Sequence, residues 1–381
     1  MSTKFHISIT AISLFLALTL SSCFSSKHVT TANIETTVDQ VWNYSLSHPD
    51  GFTIDIRTMT EPTEGISVAY AATQGCHSRE ALDSVVSHAI KHNGFVGGWL
   101  DTTDSLYYFD STRIFPEDSL EAAKKFGVEN GQIAIFVISE GREIRLDIER
   151  IQQRGVLLAG TTGDYRPLSY LENDSTYWGF EIDLASEIAQ NLGVDVEFVT
   201  TSWPTLTNDV MAEPQTFDFA ISGITITDER LQIMAMSDGY LSNGKTILCR
   251  VEDTTMFHSL SDIDKPEVRV MVNPGGTNEK FANKNLTHST IIVYPVNDEI
   301  PALIAEGDAD IMITETTEAP WYVQNDPRLA APLLNKPFTH GEIGILMRKG
   351  LDDLLQYIND LIRQMKEDGS LQKLKEKYGL K

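Results

Sequence analysis

From residue 156 onward, the sequence alternates short apolar runs with longer segments of helical spacing. Segment 180–192 places its aliphatic side chains on one helical stripe, and segment 194–199 alternates apolar with acidic residues. A second series of the same kind occupies 268–313. This alternation is typical of α/β architecture, in which helices cover a largely parallel sheet. It therefore constrains the fold of the C-terminal part more than any single motif.

The order of these elements predicts an α/β module over residues 155–381 that consists of two lobes. We assign 155–248 and 340–381 to lobe 1 and 249–339 to lobe 2. The chain is expected to cross between the lobes near 247–251 and again near 337–345. Strand ends and helix N-termini from both lobes would then meet at a cleft, where we expect the ligand to bind.

The segment 35–149 has a different pattern and is predicted to form a separate small α+β domain. Residues 51–57 and 65–71 have the alternation of strands, whereas 77–93 has helical spacing. The glycine-rich run 93–99 is interpreted as a tight turn, with a backbone-lined pocket as the alternative. No motif here indicates a function, so this domain could also be an effector for which the C-terminal module is the sensor.

The first residues resemble an export signal. Lys4 precedes an apolar stretch at 7–20 that is too short to span a membrane comfortably. The end of this stretch, LSSC at 20–23, resembles the bacterial lipobox, which implies a signal peptide at 1–23 and lipidation of Cys23. Residues 24–34 would form a polar tether. We therefore expect a periplasmic lipoprotein anchored to a membrane; the alternative is an ordinary secretory signal in which Cys23 is incidental.

The charge of the chain limits its partners. It has 54 acidic and 30 basic residues and a formal net charge of −24. This acidity argues against nucleic acid as a partner, and an anionic ligand would need cations placed locally. The sequence has no HExxH, CxxC, GxGxxG or Walker motif. We therefore predict no metal and no cofactor, and nothing indicates the oligomeric state.

Several ordered motifs resemble the type 2 periplasmic binding proteins, the solute-binding protein family 3. They are GTTGDYRP at 160–167, GFEIDLA at 179–185 and FDFAISGITITDER at 217–230. The resemblance implies a two-lobed periplasmic-binding-protein fold for the C-terminal module only. A further stretch, VNPGGTNEKFA at 272–282, is similar to a motif of the cyclohexadienyl dehydratases in that superfamily.

These enzymes convert prephenate to phenylpyruvate or arogenate to phenylalanine, with loss of the ring hydroxyl and carbon dioxide. The chemistry needs one proton delivered to the departing hydroxyl and a rigid hold on a small dicarboxylate substrate. The resemblance implies this lyase activity. The alternative is a non-catalytic amino-acid receptor for a transporter or sensor, because one fold serves both functions.

The resemblance also implies where the substrate carboxylates bind. Arg230 matches the superfamily arginine that holds a ligand carboxylate by two hydrogen bonds; the alternative is a surface arginine after a turn. Gly223 and Thr225 would donate from the same lobe. Thr277 is expected at the start of a helix, where backbone N–H groups bind anions. Asn278, Lys280 and Lys245 are candidates for the second carboxylate, with structural roles as the alternative.

The expected proton donor is Glu318, which matches the donor glutamate of the family motif. To donate at neutral pH it must be buried and protonated, with its pKa raised by roughly 2 units or more. The alternative is a helix-start glutamate that only complements the helix dipole. Glu315 replaces the family's aspartate, which holds the ammonium in amino-acid receptors, so amine recognition is open. Trp203, Tyr165 and Tyr170 are candidate walls for the ring.

Overall fold

The computed structural model describes residues 31–101, 105–173 and 176–380, so the predicted lipid-bearing Cys23 lies outside the described residues. Within them, an N-terminal α+β domain precedes a two-lobed α/β module, as predicted. Among the helices of these residues, we find none with the length and apolar character that crossing a membrane requires.

The N-terminal domain is a curved antiparallel sheet with helices packed on one face. Its elements are α1 Thr31–Ser47, β1 Phe52–Asp55, β2 Ile66–Ala69, α2 Arg79–Lys91, β3 Phe95–Asp101, β4 Leu106–Phe115, α3 Leu120–Glu129, β5 Ala134–Val137, β6 Arg142–Arg145 and α4 Asp147–Arg154. The strand order is β1-β3-β4-β2-β5-β6. Ser78 caps α2 by accepting a 3.2 Å hydrogen bond from the Ala81 N–H, which explains why this helix begins there. The apolar stripe of α2 packs on Ile54, Val96 and Phe109 of the sheet.

The helix α4 joins the two parts of the chain. It ends at Gly155, whose φ of +75° is left-handed and therefore favours glycine. Lys124 in α3 and Glu149 in α4 form a 2.6 Å ion pair that ties the linker helix to the N-terminal domain. The first strand of the module starts directly after Gly155.

The module contains the following elements. Its strands are β7 Val156–Thr161, β8 Asp164–Tyr165, β9 Ser169–Glu172, β10 Thr176–Trp178, β11 Asp195–Thr200, β12 Phe219–Ala220, β13 Ala235–Met236, β14 Leu241–Asn243, β15 Lys245–Arg250, β16 Arg269–Val272, β17 Thr290–Val293, β18 Ile311–Glu315, β19 Leu329–Ala330, β20 Gly341–Ile343 and β21 Leu346–Met347. Its helices are α5 Phe180–Leu192, α6 Leu206–Val210, α7 Asp228–Ile233, α8 Leu260–Ile263, α9 Thr277–Asn285, α10 Ile300–Glu306, α11 Ala319–Asn325, α12 Asp352–Glu367 and α13 Ser370–Lys377.

Each lobe is built on its own sheet. The lobe 1 sheet has the order β11-β7-β12-β21-β13, in which β11, β7 and β12 are parallel. The lobe 2 sheet has the order β17-β16-β18-β15-β19, in which β17, β16 and β18 are parallel. Parallel strands place their carboxyl ends at one edge, so the loops after β12 and β18 reach the cleft between the lobes.

The chain crosses between the lobes at β14 and β20, which pair antiparallel. The strand β15 pairs with β18 in lobe 2, so the first crossing lies at Gly244 and not near 247–251 as predicted. The second crossing, just before β20, falls within the predicted 337–345. A side chain at Gly244 would lie 2.2 Å from the Thr339 carbonyl oxygen, so glycine allows the crossing segments to approach closely.

Candidate active site

A pocket lies in the cleft, and both lobes line it. The lining residues are Tyr165, Trp203, Gly223, Thr225, Arg230, Asn273, Gly276, Thr277, Asn278 and Glu315. The structure thus brings together most of the residues that the sequence assigns to the substrate, although they are far apart along the chain.

Glu315 lines this pocket and forms a buried ion pair with Lys245, which is not itself a lining residue. The Lys245 ammonium also donates to Thr277 Oγ1 at 2.6 Å and to Asn278 Oδ1 at 2.7 Å. Burial would raise the pKa of Glu315, but the Lys245 ammonium and the hydrogen bonds from Tyr165 and Asn243 together outweigh burial and lower it. Burial lowers the pKa of Lys245, and the Glu315 carboxylate opposes that shift. Lys245 is therefore placed as a cation at the cleft, with its charge balanced by Glu315.

Hydrogen bonds to Glu315 also join the two lobes. The Tyr165 hydroxyl donates to Glu315 Oε2, and Thr225 Oγ1 donates to Glu315 Oε1 at 3.1 Å. Tyr165 and Thr225 belong to lobe 1, whereas Glu315 ends strand β18 of lobe 2. The lobes are therefore in contact across the cleft, and Glu315 is at the centre of that contact.

The lobe 1 side of the pocket carries Arg230. Thr227 caps the helix α7 by accepting a 3.3 Å hydrogen bond from the Arg230 N–H. Arg230 Nη1 then donates to the Thr225 carbonyl oxygen at 2.6 Å, which directs the guanidinium towards the pocket. A guanidinium has five N–H donors, so others stay available for a carboxylate.

Gly223 has a different role from the predicted one. Its N–H donates to the fully buried Glu181 carboxylate, so this N–H is not a donor to a ligand in this arrangement. Its φ is +67°, and a Cβ atom here would lie 2.4 Å from Tyr165 Cε1. Gly223 therefore allows Tyr165 to pack against the backbone. Glu181, whose pKa burial raises to about 7, was not identified from the sequence as part of this site.

In lobe 2, the start of helix α9 supplies the pocket with Thr277 and Asn278. Lys280, one turn further along, does not line the pocket. Its ammonium lies 2.7 Å from Glu229 Oε2, and 66% of its side chain is exposed. The prediction that Lys280 contacts the substrate is therefore not supported by its position; it links the lobes at the surface.

Aromatic rings form part of the pocket wall. Trp203 and Tyr165 both line it, with their ring centroids 6.0 Å apart in an edge-to-face arrangement. Trp203 Nε1 donates to Asp164 Oδ1 at 3.0 Å, which orients the indole. Tyr170 is not among the lining residues, contrary to expectation, and its ring lies 3.2 Å below the Arg166 guanidinium.

Glu318 is completely buried and is not one of the residues that line the pocket. Its carboxyl accepts a 2.8 Å hydrogen bond from Asn297 Nδ2 and another from Thr314 Oγ1. Burial raises the pKa of Glu318 to about 8, and the nearby carboxylates of Glu315 and Asp164 act in the same direction. Although Glu318 precedes helix α11, its side chain makes no capping hydrogen bond. The helix-dipole alternative requires a negative charge at this position, and burial works against that charge.

Some residues of the site were missed from the sequence. Asn273 lines the pocket and belongs to the 272–282 motif, which was the available signal. Asn297 contacts Glu318 from a segment in which no motif was recognised. Only the fold brings Asn297 to Glu318, so periodicity could not identify it.

Comparisons with known proteins agree with this architecture. The profile of the bacterial extracellular solute-binding proteins, family 3, matches residues 157–381. Cyclohexadienyl dehydratase of Pseudomonas aeruginosa is 38% identical over 239 residues, which cover 63% of this chain and 87% of that protein. The L-cystine-binding protein TcyJ of Escherichia coli is 28% identical over 232 residues, 61% of this chain and 85% of that protein.

Among solved structures, the ancestral amino acid-binding protein AncCDT-1, a precursor of cyclohexadienyl dehydratase, is similar to this module. Its TM-score is 0.56 at 36% sequence identity, and the match covers 61% of this chain and 98% of that chain. These relatives include both an enzyme and binding proteins, so the fold they share does not decide between the two functions. Through its C-terminal module, the chain belongs to the bacterial extracellular solute-binding proteins, family 3.

Proposed function

We propose that the module catalyses the decarboxylating dehydration of prephenate to phenylpyruvate, of arogenate to phenylalanine, or of both. The observation that carries this proposal is the buried Glu318, whose pKa is raised to about 8. A carboxyl with that pKa is protonated in about nine of ten molecules at neutral pH. Arg230 lines the cleft pocket and the Lys245 ammonium contacts Thr277 of its lining, so both could supply the cations that an anionic substrate of this acidic protein requires.

In the proposed reaction, Glu318 donates its proton to the hydroxyl group on the substrate ring, and the carbon–oxygen bond breaks as water leaves. The bond between the ring and its carboxylate breaks too, and carbon dioxide leaves. The electron pair of that bond completes the aromatic ring, so the step needs no external oxidant or reductant. Glu318 is left as a carboxylate and regains a proton from solvent. General acid catalysis of this kind contributes about 10²- to 10⁴-fold to a rate.

The proposal assigns the substrate carboxylates to opposite sides of the cleft. Arg230 would hold one by parallel hydrogen bonds, and Thr277, Asn278 and Lys245 would hold the other. Because Lys245 is bonded to Glu315, the second carboxylate would have to compete for the ammonium. We propose that substrate binding draws Lys245 away from Glu315 and gives the ring hydroxyl access to the buried proton donor.

A second candidate function is that of an amino-acid receptor. The observation that favours it is the pairing of a cation with the Glu315 carboxylate in a pocket that also contains Arg230. An amino acid could bind with its carboxylate on Arg230 and its ammonium in place of that of Lys245. The binding proteins among the relatives agree with this alternative.

The decisive experiment incubates the purified protein with prephenate, and separately with arogenate, and measures phenylpyruvate and phenylalanine. Turnover in the wild type that Glu318→Gln lowers by at least about 100-fold supports the proposal. Glu367→Gln is the matched control, because Glu367 is also a glutamate but is exposed at the end of helix α12. Its activity should match that of the wild type.

Calorimetric titrations with the same variants separate the two functions. If Glu318→Gln binds prephenate but does not turn it over, Glu318 is needed for the reaction and not for binding, as expected of a proton donor. Tight binding of an amino acid, with no turnover of either substrate by the wild type, would instead establish the receptor. The comparison of prephenate with arogenate also shows whether Glu315 accepts an amine.

We also propose that the protein is a periplasmic lipoprotein anchored through Cys23. The export-like segment 7–20, the lipobox-like end of that segment and the extracellular family support this. Metabolic labelling with a radioactive fatty acid tests it. Label that is present in the wild type and absent from Cys23→Ser supports the anchor, whereas equal label in both contradicts it.

A further inference from the structure

The N-terminal domain has a concave polar face opposite to its helices. Thr53, Gly97 and Asp110 lie side by side across β1, β3 and β4, on the face opposite to the apolar residues that pack on α2. Thr53 Oγ1 lies 3.5 Å from Ser67 Oγ of β2, although β3 and β4 separate these strands in the sheet. The sheet is therefore strongly curled, and this face is its inner surface.

Two polar atoms at this concave face have no hydrogen-bond partner in the described part of the chain: Asp110 Oδ1 and Thr112 Oγ1. Asp110 is 9% exposed and Thr112 is 5% exposed, and they alternate along β4 so that both point to the concave face. A buried polar atom without a partner is costly, and such groups in folded proteins usually have one. A polar ligand at this face would supply the hydrogen bonds that these two atoms lack.

The strand next to Asp110 carries no side chain at the position directly beside the carboxyl. Gly97 is the direct cross-strand neighbour of Asp110 and has no side chain to cover it. A Cβ atom at Gly97 would lie 3.1 Å from Thr112 Cγ2, so a larger residue at this position would crowd the Thr112 side chain. Burial raises the pKa of Asp110 to about 6, consistent with a carboxyl that lacks a compensating cation.

An aromatic pair stands beside the carboxyl. The rings of Trp99 and Tyr108 stack with centroids 5.1 Å apart and an interplanar angle of 23°. Trp99 Nε1 donates to Asp110 Oδ2 at 3.3 Å, which holds the indole at the edge of the face. Trp99 is nevertheless 44% exposed. An exposed indole beside a buried carboxyl is an arrangement suited to cations, which bind carboxylates and the faces of aromatic rings.

We propose that this concave face, defined by Thr53, Ser67, Asp110 and Thr112 with Trp99 at its edge, binds an organic cation through an ammonium or guanidinium group. The charged group would donate to Asp110 Oδ1 and Thr112 Oγ1, and its alkyl part would lie along the indole. The site is independent of the function proposed for the C-terminal module. The cation could be a small molecule or the side chain of a basic peptide, and the chemistry of recognition is the same.

The test titrates the purified full-length protein with agmatine, and in a second arm with a blocked peptide that contains one arginine. Both probes lack a free carboxylate, which the Arg230 pocket is expected to require. We expect binding of at least one probe, weakened by about tenfold or more in Asp110→Asn and by several-fold in Trp99→Ala. Agmatine binding alone indicates a small-molecule site, whereas peptide binding alone indicates a protein ligand.

Matched controls locate the site. Asp118→Asn removes an exposed carboxyl of the same domain and should leave the affinity unchanged, as should Glu315→Gln in the module. Affinity lost in Glu315→Gln and kept in Asp110→Asn would overturn the proposal, as would absence of binding by both probes. Circular dichroism and thermal unfolding of Asp110→Asn check its folding. Trp99→Ala provides an independent test, because this exposed side chain can be removed without opening the core.

Discussion

Asn297 Nδ2 lies 2.8 Å from Glu318 Oε1 and donates a hydrogen bond to it. The same nitrogen lies 3.1 Å from the carbonyl oxygen of Asp164, which belongs to the other lobe. Asn297 is 1% exposed, so these contacts are shielded from water. The position of the proposed proton donor is therefore tied to contact between the lobes.

Replacing Asn297 by alanine tests this connection. The change removes a donor that favours the charged form of Glu318, so the pKa of Glu318 should rise further. If the module is a dehydratase, kcat should fall by about tenfold, and the alkaline limb of its pH profile should move to higher pH. Asn325→Ala is the control, because Asn325 bonds only to a helix carbonyl in an exposed position. An unchanged alkaline limb would contradict the assigned role.

The pH dependence of stability tests Glu318 without reference to catalysis. Its pKa is about 8 in the folded protein and about 4.3 when unfolded, so the folded state holds the extra proton between these values. The free energy of unfolding should therefore decrease with rising pH across this window, by at most about 1.4 kcal/mol per pH unit from this group. The stabilising contribution is complete below about pH 4 and lost above about pH 8.

Glu318→Gln should remove this dependence, because glutamine does not titrate. The measurement is chemical denaturation at several pH values. The difference in the free energy of unfolding between wild type and variant isolates the contribution of Glu318 from that of other titrating groups such as Glu181. A difference that stays constant from about pH 4 to about pH 8, the window set by the two pKa values, would show that Glu318 is not a buried neutral acid.

The ion pair of Lys245 and Glu315 predicts strong coupling between these positions. Lys245→Met should destabilise the protein by about 3–5 kcal/mol, because Glu315 is then buried without its cation. Adding Glu315→Gln should recover much of that loss, since neither position then carries a charge. Urea denaturation of the wild type, both single variants and the double variant gives the coupling energy. Additive effects would show that the pair does not form in solution.

The position of Gly275 against the opposite lobe predicts that a larger residue there hinders closure of the lobes. Its φ is +75°, and a Cβ atom there would lie 2.6 Å from the Cα atom of Pro204 in the opposite lobe. Gly275→Ala should therefore hold the lobes apart and weaken ligand binding by about tenfold or more, which corresponds to about 1.4 kcal/mol or more. In the presence of ligand, small-angle scattering should show a larger radius of gyration for Gly275→Ala than for the wild type.

Gly350→Ala is the matched control for Gly275→Ala. Gly350 also has a left-handed backbone, with φ of +86°, but no atom lies within 4 Å of its added Cβ. Both variants carry the same intrinsic backbone strain, so their stabilities should fall similarly, by about 1 kcal/mol. Equal ligand affinity in the two variants would show that Gly275 does not limit closure.

Local patterns predicted many of the elements. The helical spacing of 180–192 corresponds to α5, and 77–93 contains α2. Such segments carry their own periodicity and capping residues, so distant parts of the chain are not needed to recognise them. The first crossing between lobes was misplaced because an apolar strand such as β15 fits either sheet. Its pairing with β18, more than sixty residues away in the sequence, decides the lobe to which it belongs.

Residues of the site could be predicted where they belong to a recognised sequence motif. Arg230, Thr277 and Asn278 reach the pocket as expected from their motifs, whereas Lys280 extends to the surface and the Gly223 N–H is bonded to Glu181. A motif specifies the residue type and the order along the chain. It does not specify which partner a side chain finds, because that partner lies on another element.

By itself, the sequence determined the two-part organisation of the chain, the α/β character of the module and the identity of the residues able to hold an anion. These properties depend on periodicity and on side-chain chemistry, which are local. Only the tertiary structure decided that Glu318 is buried beside Asn297 and Thr314 and that Lys245 pairs with Glu315. Burial and proximity between distant residues set the charge of an ionisable group, and both arise only when the chain folds.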